Sequence, residues 1–238
     1  QAESLGKLSS GSRIVKAADD AAGLAISEKL KAQIRGIRQA NRNANDGISM
    51  IQVAEGGLNE VSSILTRLRE LSVQAASDTV GDTERGFTNI EYQNLKQEIQ
   101  RISQVTEFNG IALLDGSGDK YDFQIGINND EFEDRISFDA GATNAQTANL
   151  GIDSITIENQ GGARESLAIL DQAITQVSGQ RANLGALQNR LGSTVTNLQL
   201  ADENLSAANS RIRDTDYAQE TSIKTKQDVL AAAGTSVL

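Results

Sequence analysis

The residues best suited to hold a metal ion form a short acidic loop, Asp115-Gly116-Ser117-Gly118-Asp119, with Asp122 close behind it. Oxygen ligands at alternate positions are typical of a calcium loop, which closes on a bidentate Glu at its twelfth position. Here that position is Gly126. The incomplete ligand set favours a solvated turn between strands, and the sequence predicts neither a metal nor a cofactor.

Two groups of carboxylates could supply a general acid and a general base. The first is Asp19-Asp20, directly before the small-residue run Ala21–Ile26, and the second is the cluster Asp130, Glu131, Glu133 and Asp134. Acids at the start of a helix are stabilised by its dipole, and charges at a hairpin tip keep it soluble. An enzyme such as a carboxylate hydrolase would need two acids converging in a concave pocket. We therefore predict a structural protein without a catalytic site or a small-molecule substrate.

Composition removes several chemistries outright. The 238 residues include no Cys, His, Pro or Trp, and only three Tyr and five Phe. A Ser-His-Asp triad, a thiol nucleophile, a zinc site of the usual ligands and a disulfide are all excluded. With so few aromatic residues, the core must consist of Leu, Ile, Val and Ala spread along extended elements.

Net charge argues against two classes of partner. The formal charge is −10 with a pI near 4.6 and no basic run, so neither nucleic acid nor an anionic membrane surface is an expected partner. No apolar run is long enough to cross a bilayer. The first residue is Gln1, with no signal-peptide pattern after it, and we expect a processed form or a fragment truncated at both termini.

A heptad seam predicts one long amphipathic helix. Its members follow an alternating spacing of three and four: Ile51, Ala54, Leu58, Val61, Leu65, Leu68, Ser72 and Ala75. We expect this helix to run from Asn45 to Ser77, with Asp46-Gly47 as its start or an interruption and Gly81 as its stop.

A second seam lies near the other end, over about residues 163–208. Its apolar members are Leu167, Leu170, Ile174, Val177, Leu184, Leu191, Val195, Leu198 and Leu205, and polar residues interrupt it at Arg181, Gln188 and Asp202. The interruptions either fix the register against a specific partner helix or mark drift of the stripe towards the neighbouring line of Leu187, Thr194, Ala201 and Ala208. Drift is the simpler interpretation. The two long helices are predicted to pack antiparallel through Leu58, Val61, Leu65, Leu68, Leu184, Leu191 and Leu198.

The middle of the chain changes period. Tyr92, Leu95, Ile99 and Ile102 predict a helix from Asp82-Thr83 to just before Asn109-Gly110. Alternation at Tyr121, Phe123, Ile125 and Ile127 and again at Ile136 and Phe138 predicts a β-hairpin, and Ile155 with Ile157 predicts a further strand before Gln160-Gly161-Gly162. The predicted fold is mainly α: a long antiparallel helical rod or bundle with a small middle segment that contains a β-hairpin.

Beside the first seam, Glu60, Ile64, Arg67 and Leu71 form a line of their own at about 100° per residue. This line is either a widened core stripe, with the stem of Arg67 lying over a neighbouring helix, or a partner-binding surface.

Several motifs in order resemble bacterial flagellin over all of the chain except about residues 115–165. They are Leu8–Ile14 (LSSGSRI), Ala17–Ile26 (AADDAAGLAI), Gln39–Ser49 (QANRNANDGIS), Arg67–Ala75 (RLRELSVQA), Phe108–Gly110 (FNG), Ser210–Tyr217 (SRIRDTDY) and Ala233–Leu238 (AGTSVL). The resemblance implies a flagellar filament subunit that packs against copies of itself. A hook–filament junction protein is the alternative, and the copy number of the protein in the cell would separate the two. A coiled-coil adaptor fits the heptads but not the β-containing middle.

The resemblance also implies a division into domains and a location outside the cell. Residues 1–17 and 213–238 would be truncated parts of the inner terminal-helix region, and residues 18–212 the helical rod core, with its β-containing segment at about 110–160. Export would run through the flagellar type III apparatus with a chaperone, to the extracellular filament. Without their missing ends and neighbours, residues before about Ala17 and after about Asp214 are expected to be weakly ordered.

The same resemblance implies a receptor surface. The stretch around Arg67 is similar to the flagellin region that Toll-like receptor 5 binds in animals, and the matching positions here are Arg67, Leu71 and Glu91.

Overall fold

The computed structural model describes residues 2–237, with side chains described between residues 4 and 234. Its helices are α1 (Ala2–Ser10), α2 (Ala21–Ala75), α3 (Asp82–Val105), α4 (Gln160–Arg213) and α5 (Tyr217–Val237). Its strands are β1 (Glu107–Phe108), β2 (Ile111–Ala112), β3 (Lys120–Gln124) and β4 (Arg135–Asp139), and a single 3₁₀ turn covers Gly141–Thr143. Within the described range the fold is thus mainly α, with two small antiparallel strand pairs, as predicted.

The chain forms two compact units. The terminal unit comprises Gln1–Asn41, Gly126–Asn128 and Thr196–Leu238, and the central unit comprises Arg42–Ile125 and Asn129–Val195. The domain plan with limits at residues 17 and 213 refers to places in a filament and stays a prediction. Gln1, and Leu238 at the end of the Ala233–Leu238 motif, lie outside the described residues.

Helix α2 is longer than the sequence predicted. It begins at Ala21 and passes through Asp46-Gly47 without a break, so the expected start or interruption there is wrong. A Cβ on Gly47 would lie 3.0 Å from the ring of Phe123. Gly47 therefore lets an aromatic ring approach the helix backbone and does not mark an end. Gly81, the expected stop, is the N-cap of α3.

In the central unit α2 and α4 are antiparallel neighbours. The hydroxyl of Ser166 donates to that of Ser72 (2.9 Å), and Arg181 on the next turns of α4 donates to Glu55, further back along α2 (2.7 Å). Contacts that move backwards on one helix while moving forwards on the other require opposite directions. All eight residues of the first predicted seam are 0 % exposed, and the two cross-helix contacts place the heptad segments side by side in this unit. Which seam residues meet across the two helices stays a prediction.

Helix α3 ends as predicted, but the segment after it differs. Asn109-Gly110 was expected only to stop the helix, and instead it forms the two-residue turn between β1 and β2, with φ of 52° and 77°. Asn-Gly suits such a hairpin because both central residues need positive φ. Leu113 and Leu114 follow directly and are 0 % exposed in the core.

The predicted β-hairpin is confirmed as β3 and β4. Tyr121 pairs with Phe138 and Phe123 with Ile136 in an antiparallel register. Ile125, expected within the first strand, lies one residue beyond its end, and Ile127 lies three residues beyond it.

The predicted strand at Ile155 and Ile157 is wrong. Both residues are buried, at 7 % and 0 % exposed, but their backbone is not part of a sheet. Side chains of α3 replace the missing strand: Lys96 donates to the carbonyl of Ile155 (2.9 Å), and Asn89 accepts the N–H of Ile157 (3.3 Å). The alternation of Ile155 and Ile157 predicted their burial correctly. It predicted strand pairing incorrectly, because the backbone of this segment forms hydrogen bonds with side chains of α3 and not with another strand.

The terminal unit joins the two ends of the sequence. Arg38 of α2 pairs with Asp202 of α4 (3.0 Å). Closer to the termini, the N–H of Arg13 donates to the carbonyl of Arg213 (2.6 Å), and the hydroxyl of Tyr217 donates to the carbonyl of Leu8 (3.1 Å). The weak order expected for these end segments in solution stays a prediction. No helix in the described part of the chain combines the length and apolarity needed to cross a membrane.

Candidate functional surfaces

Asp19 and Asp20 hold the backbone at the start of α2. Asp20 caps the helix by accepting the N–H of Gly23 (2.8 Å). Asp19 accepts the N–H groups of Lys16 (2.9 Å) and Val15 (3.0 Å), and these two donors lower its pKa below the ordinary value of 3.8. Asp20 therefore caps α2 as the sequence predicted, whereas Asp19 closes the turn that precedes the helix.

The loop that resembled a calcium site is closed by its own side chains. Asp115 accepts both the hydroxyl (2.7 Å) and the N–H (2.9 Å) of Ser117, which lower the pKa of its carboxyl group. Asp122 accepts the hydroxyl of Ser137 (2.6 Å) on the opposite strand of the hairpin. Among the described residues, no three acids lie close enough together to form a metal site.

The acidic cluster lies in the connection between β3 and β4, as predicted, but it is not simply solvated. Asp130 accepts the N–H groups of Glu133 and Phe132, each at 2.8 Å, and these donors lower the pKa of Asp130. Asp134 is only 6 % exposed and accepts the N–H of Asp130 (3.0 Å). Two of the four acids therefore shape the turn.

Arg67 and Glu91, placed together by the sequence resemblance, are in contact on the surface. The guanidinium of Arg67 lies 2.9 Å from Glu91 on α3 and 3.1 Å from Glu70, and these carboxylates, Glu91 foremost, raise the pKa of Arg67. The side chains of Arg67 and Glu91 are 49 % and 47 % exposed. This pair, called the Arg67–Glu91 pair below, is open to a partner.

Leu71, the third residue of the predicted receptor surface, is in the core and 2 % exposed. The reason lies within the preceding helical turn, where Arg67 contacts Glu91 on α3 and Arg69 contacts Asp171 on α4 (2.6 Å). Because α2 packs against two helices at this level, its buried arc is wider than one seam. Leu71 therefore belongs to a widened core stripe and cannot itself contact a partner.

The helix-packing residues on α4 divide into two groups. Leu184 and Leu191 are 2 % and 0 % exposed, whereas Leu198 is partly buried in the terminal unit and its part in packing stays a prediction. The buried line of α4 consists of Ala163, Ser166, Leu170, Ala173, Val177, Gln180, Leu184 and Leu191. Leu167 and Ile174 of the predicted line lie to one side and are partly exposed. The small residues of this line, Ala163, Ser166 and Ala173, let the neighbouring helices approach closely.

Three hydroxyl groups meet inside this apolar packing, one from each of α2, α3 and α4. Ser166 donates to Ser72, which in turn donates to the carbonyl of Leu68 (2.9 Å). Tyr92 is 0 % exposed, and its hydroxyl lies beside the other two without a well-formed hydrogen bond. Burial raises the pKa of Tyr92, and the hydroxyls of Ser72 and Ser166 offset part of that effect. Polar groups at one level of a helix core favour a single register.

Sequence reasoning missed a polar ladder along α3. Its members recur at spacings of four, four, three and four: Arg85, Asn89, Gln93, Lys96 and Gln100. Arg85, Asn89 and Lys96 are each 7 % exposed. The helical period was present, but a search for apolar residues alone passes over it.

The polar ladder bonds backbone that would otherwise lack partners. Arg85 donates to the carbonyl of Ala75 (2.8 Å) at the end of α2. Lys96 donates to the carbonyls of Asp153 (2.7 Å) and Ile155 (2.9 Å). Burial lowers the pKa of Lys96, and the charge of Asp153 partly counters this. The ladder thus holds residues 153–158 against the core.

Helix α5 leaves its largest apolar side chains in solvent. Tyr217, Val229 and Leu230 are 56 %, 62 % and 61 % exposed, and they line a surface groove of about 730 Å³ together with Lys226. On α1, Leu5 is 52 % exposed. We call the exposed side chains of Leu5, Tyr217, Val229 and Leu230 the terminal apolar surface.

Family models match both ends of the chain. The model of the bacterial flagellin N-terminal helical region matches residues 2–119, and that of the C-terminal helical region matches residues 167–238. A flagellin of Halalkalibacterium halodurans is 45 % identical over 232 residues, spanning 98 % of this chain and 84 % of that protein. A flagellin of Bacillus subtilis is 41 % identical over 266 residues, spanning 98 % and 86 %.

Solved structures agree with these matches. The structure of Bacillus cereus flagellin matches with a TM-score of 0.59 and 30 % identity, over 66 % of this chain and 88 % of that one. A proposed flagellar hook-associated protein from Vibrio parahaemolyticus matches with a TM-score of 0.69 over 82 % of this chain and 100 % of that one. Its identity is 15 %, so this likeness concerns the fold alone.

Proposed function

The chain belongs to the bacterial flagellin family and is a structural subunit of the flagellar filament outside the cell, and from this premise we propose which of its surfaces act. The family relatives favour this role over that of a hook–filament junction protein. The work of the protein is to pack against its own copies, and we propose that it acts through surfaces and performs no catalysis.

The terminal apolar surface joins neighbouring copies in this proposal. The observation that carries it is the exposure of Tyr217, Val229 and Leu230 along one groove of α5. An apolar side chain gains about 1.5–3 kcal/mol on full burial, so three such residues per copy provide a strong drive for association. α1 and α5 pair with each other in the terminal unit and leave this surface outward.

The test compares two exposed valines. Val229→Ser should reduce the yield of sedimentable filament from cells that express the full chain. Val73→Ser, on the central unit and 51 % exposed, is the matched control for a lost surface valine and should leave the yield unchanged. Equal yields from Val229→Ser and the parent chain would remove α5 from the proposed contact.

The Arg67–Glu91 pair is the proposed contact for Toll-like receptor 5. Exposed Arg groups near apolar side chains are common hot spots, and Phe87 and Ile90 on α3 are 69 % and 61 % exposed close to Glu91. In this proposal the buried Leu71 lies in the core beneath the Arg67–Glu91 pair and helps to hold α2 in place. Arg67→Ala should weaken receptor binding measured by titration calorimetry, whereas Arg69→Ala, which removes an equally exposed Arg paired to α4, should not. Loss of affinity in both variants would show that the effect is not specific to this pair.

Unfolded export through the flagellar type III apparatus, aided by a chaperone, completes the proposal. The chain has neither Cys nor Pro, so refolding outside needs no disulfide formation and no slow proline isomerisation. In cells that lack the export apparatus the chain should accumulate inside and co-purify with a chaperone. Undiminished secretion from such cells would contradict this route.

A further inference from the structure

We propose that Asn109-Gly110 is a deamidation site that reacts while the chain is unfolded, and that the β1–β2 turn protects it once the central unit has folded. The sequence contains a single Asn-Gly pair. Gly has no side chain to shield its nitrogen, which makes this pair the most reactive place for the step described next. Asn109 is exposed, so burial contributes nothing to its protection.

The reaction needs only water. The backbone nitrogen of Gly110 attacks Cγ of Asn109, its proton passes to the departing amide nitrogen, and ammonia leaves. A five-membered succinimide remains. Water then adds to one of its two carbonyl groups, which gives either aspartate or isoaspartate. The sum is one asparagine and one water converted to one acid residue and one ammonia.

The folded turn fixes the backbone that carries the two reacting atoms. Asn109 and Gly110 are fixed at φ of 52° and 77° between the paired residues Phe108 and Ile111. Attack requires the Gly110 nitrogen to swing over the Asn109 side chain, which changes the backbone angles and opens the turn. The N–H of Leu113 donates to the carbonyl of Thr106 (3.1 Å) and closes the base of the hairpin. Reaction in the folded chain must therefore wait for local opening.

Isoaspartate would not fit the structure that follows. It adds one methylene group to the backbone at position 109, and a two-residue turn cannot accommodate the extra atom without losing its register. Leu113 and Leu114, both 0 % exposed, are placed in the core directly after the turn. A chain that reacted before folding would therefore fail to seat these two leucines, whereas ordinary aspartate, which tolerates positive φ, would be accepted.

The experiment compares the full chain under native conditions with the same chain in concentrated urea, both at mildly alkaline pH. Peptide mass spectrometry measures conversion of Asn109, with Asn144, which precedes Ala145, as the control in the same digest. We expect Asn109 to react faster than Asn144 in urea, and at least ~10-fold more slowly in the native chain than in urea. Gly110→Ala should slow the reaction in urea.

Either of two rate comparisons would overturn the proposal. Equal rates for Asn109 in the native and the unfolded chain would show that the turn gives no protection. Equal rates for Asn109 and Asn144 in urea would show that Asn109 is not a preferred site. Refolding the reacted chain supplies the third readout, because isoaspartate should appear in the misfolded fraction and aspartate in the folded one. Isoaspartate recovered in folded protein would refute the argument from the turn.

Discussion

Two neighbouring glycines of α2 should respond to the same substitution with opposite sign. Replacing Gly by Ala inside a helix stabilises it by about 0.5–1 kcal/mol, because Ala loses less backbone freedom on folding. A Cβ on Gly56 would meet nothing within 4 Å. Gly56→Ala should therefore gain this amount in full.

A Cβ on Gly57 would lie 2.7 Å from Cδ1 of Leu114 and 2.8 Å from the hydroxyl oxygen of Thr106. Leu114 is 0 % exposed and lies in the hydrophobic core, so it cannot move aside into solvent. Forcing an extra carbon into a packed core costs about 1–3 kcal/mol, which equals or exceeds the gain in helix propensity. Gly57→Ala should therefore lower the free energy of unfolding by up to about 2 kcal/mol.

Urea unfolding followed by far-ultraviolet circular dichroism measures both variants. The two variants should differ by about 0.5–3 kcal/mol, so at a slope of about 1–3 kcal/mol per molar urea their midpoints should separate by about 0.2 M or more, with Gly56→Ala the more stable. The slopes should stay unchanged if only the folded state is affected. A Gly57→Ala chain as stable as Gly56→Ala would refute the reasoning, since the close approach of Leu114 would then impose no restriction.

Three further predictions concern the core, the polar ladder and the acid limb of stability. Leu65→Ala should lower the free energy of unfolding in urea by about 2–5 kcal/mol, and Leu198→Ala by about 1 kcal/mol or less, because only Leu65 is fully buried. Equal losses in the two variants would contradict the assigned seam. Asn89→Ala should cost about 1–3 kcal/mol and raise amide exchange within residues 153–158, and unchanged exchange would show that the ladder does not hold them. The lowered pKa of Asp19 means that its contribution to stability is present above its ordinary pKa of 3.8 and is lost as pH falls through the lower folded value. A pKa at or above 3.8 in an NMR titration of the folded chain would exclude this.

Features marked by apolar period or turn chemistry could be predicted from the sequence. The seam from Ile51 to Ala75 and the pairing of β3 with β4 are examples, because burial repeats at the period of the element. Leu71 could not be placed, since the width of a buried arc depends on how many helices pack at that level. The strand expected at Ile157 failed for a related reason: its backbone partner is the side chain of Asn89, which is 68 residues away in sequence.

The surfaces were less accessible to sequence reasoning than the fold. Family resemblance assigned Arg67 and Glu91 to one receptor surface, which stays a prediction, and the structure adds that the two side chains are in contact. Periodicity alone left the line of Arg67 open between core and surface. The polar ladder was missed because a charged residue such as Lys96 is expected to be solvated. Its burial becomes apparent only when residues 153–158 are known to cover it. A buried polar residue can be recognised only once its hydrogen-bond partner is known, and the partners of these residues are distant in sequence.

The junction of Arg13 with the segment before Asp214 has a consequence for the order of folding. The guanidinium of Arg13 donates to the carbonyl of Ile212, 199 residues away. Closing a loop of that length costs about 5 kcal/mol of chain entropy, before any contact compensates for it. This junction therefore belongs to the high-contact-order part of the fold and forms late. On the proposed export route, a chain released from one end first could not close this junction until its other end was free, so α1 and α5 would remain separate until both had emerged.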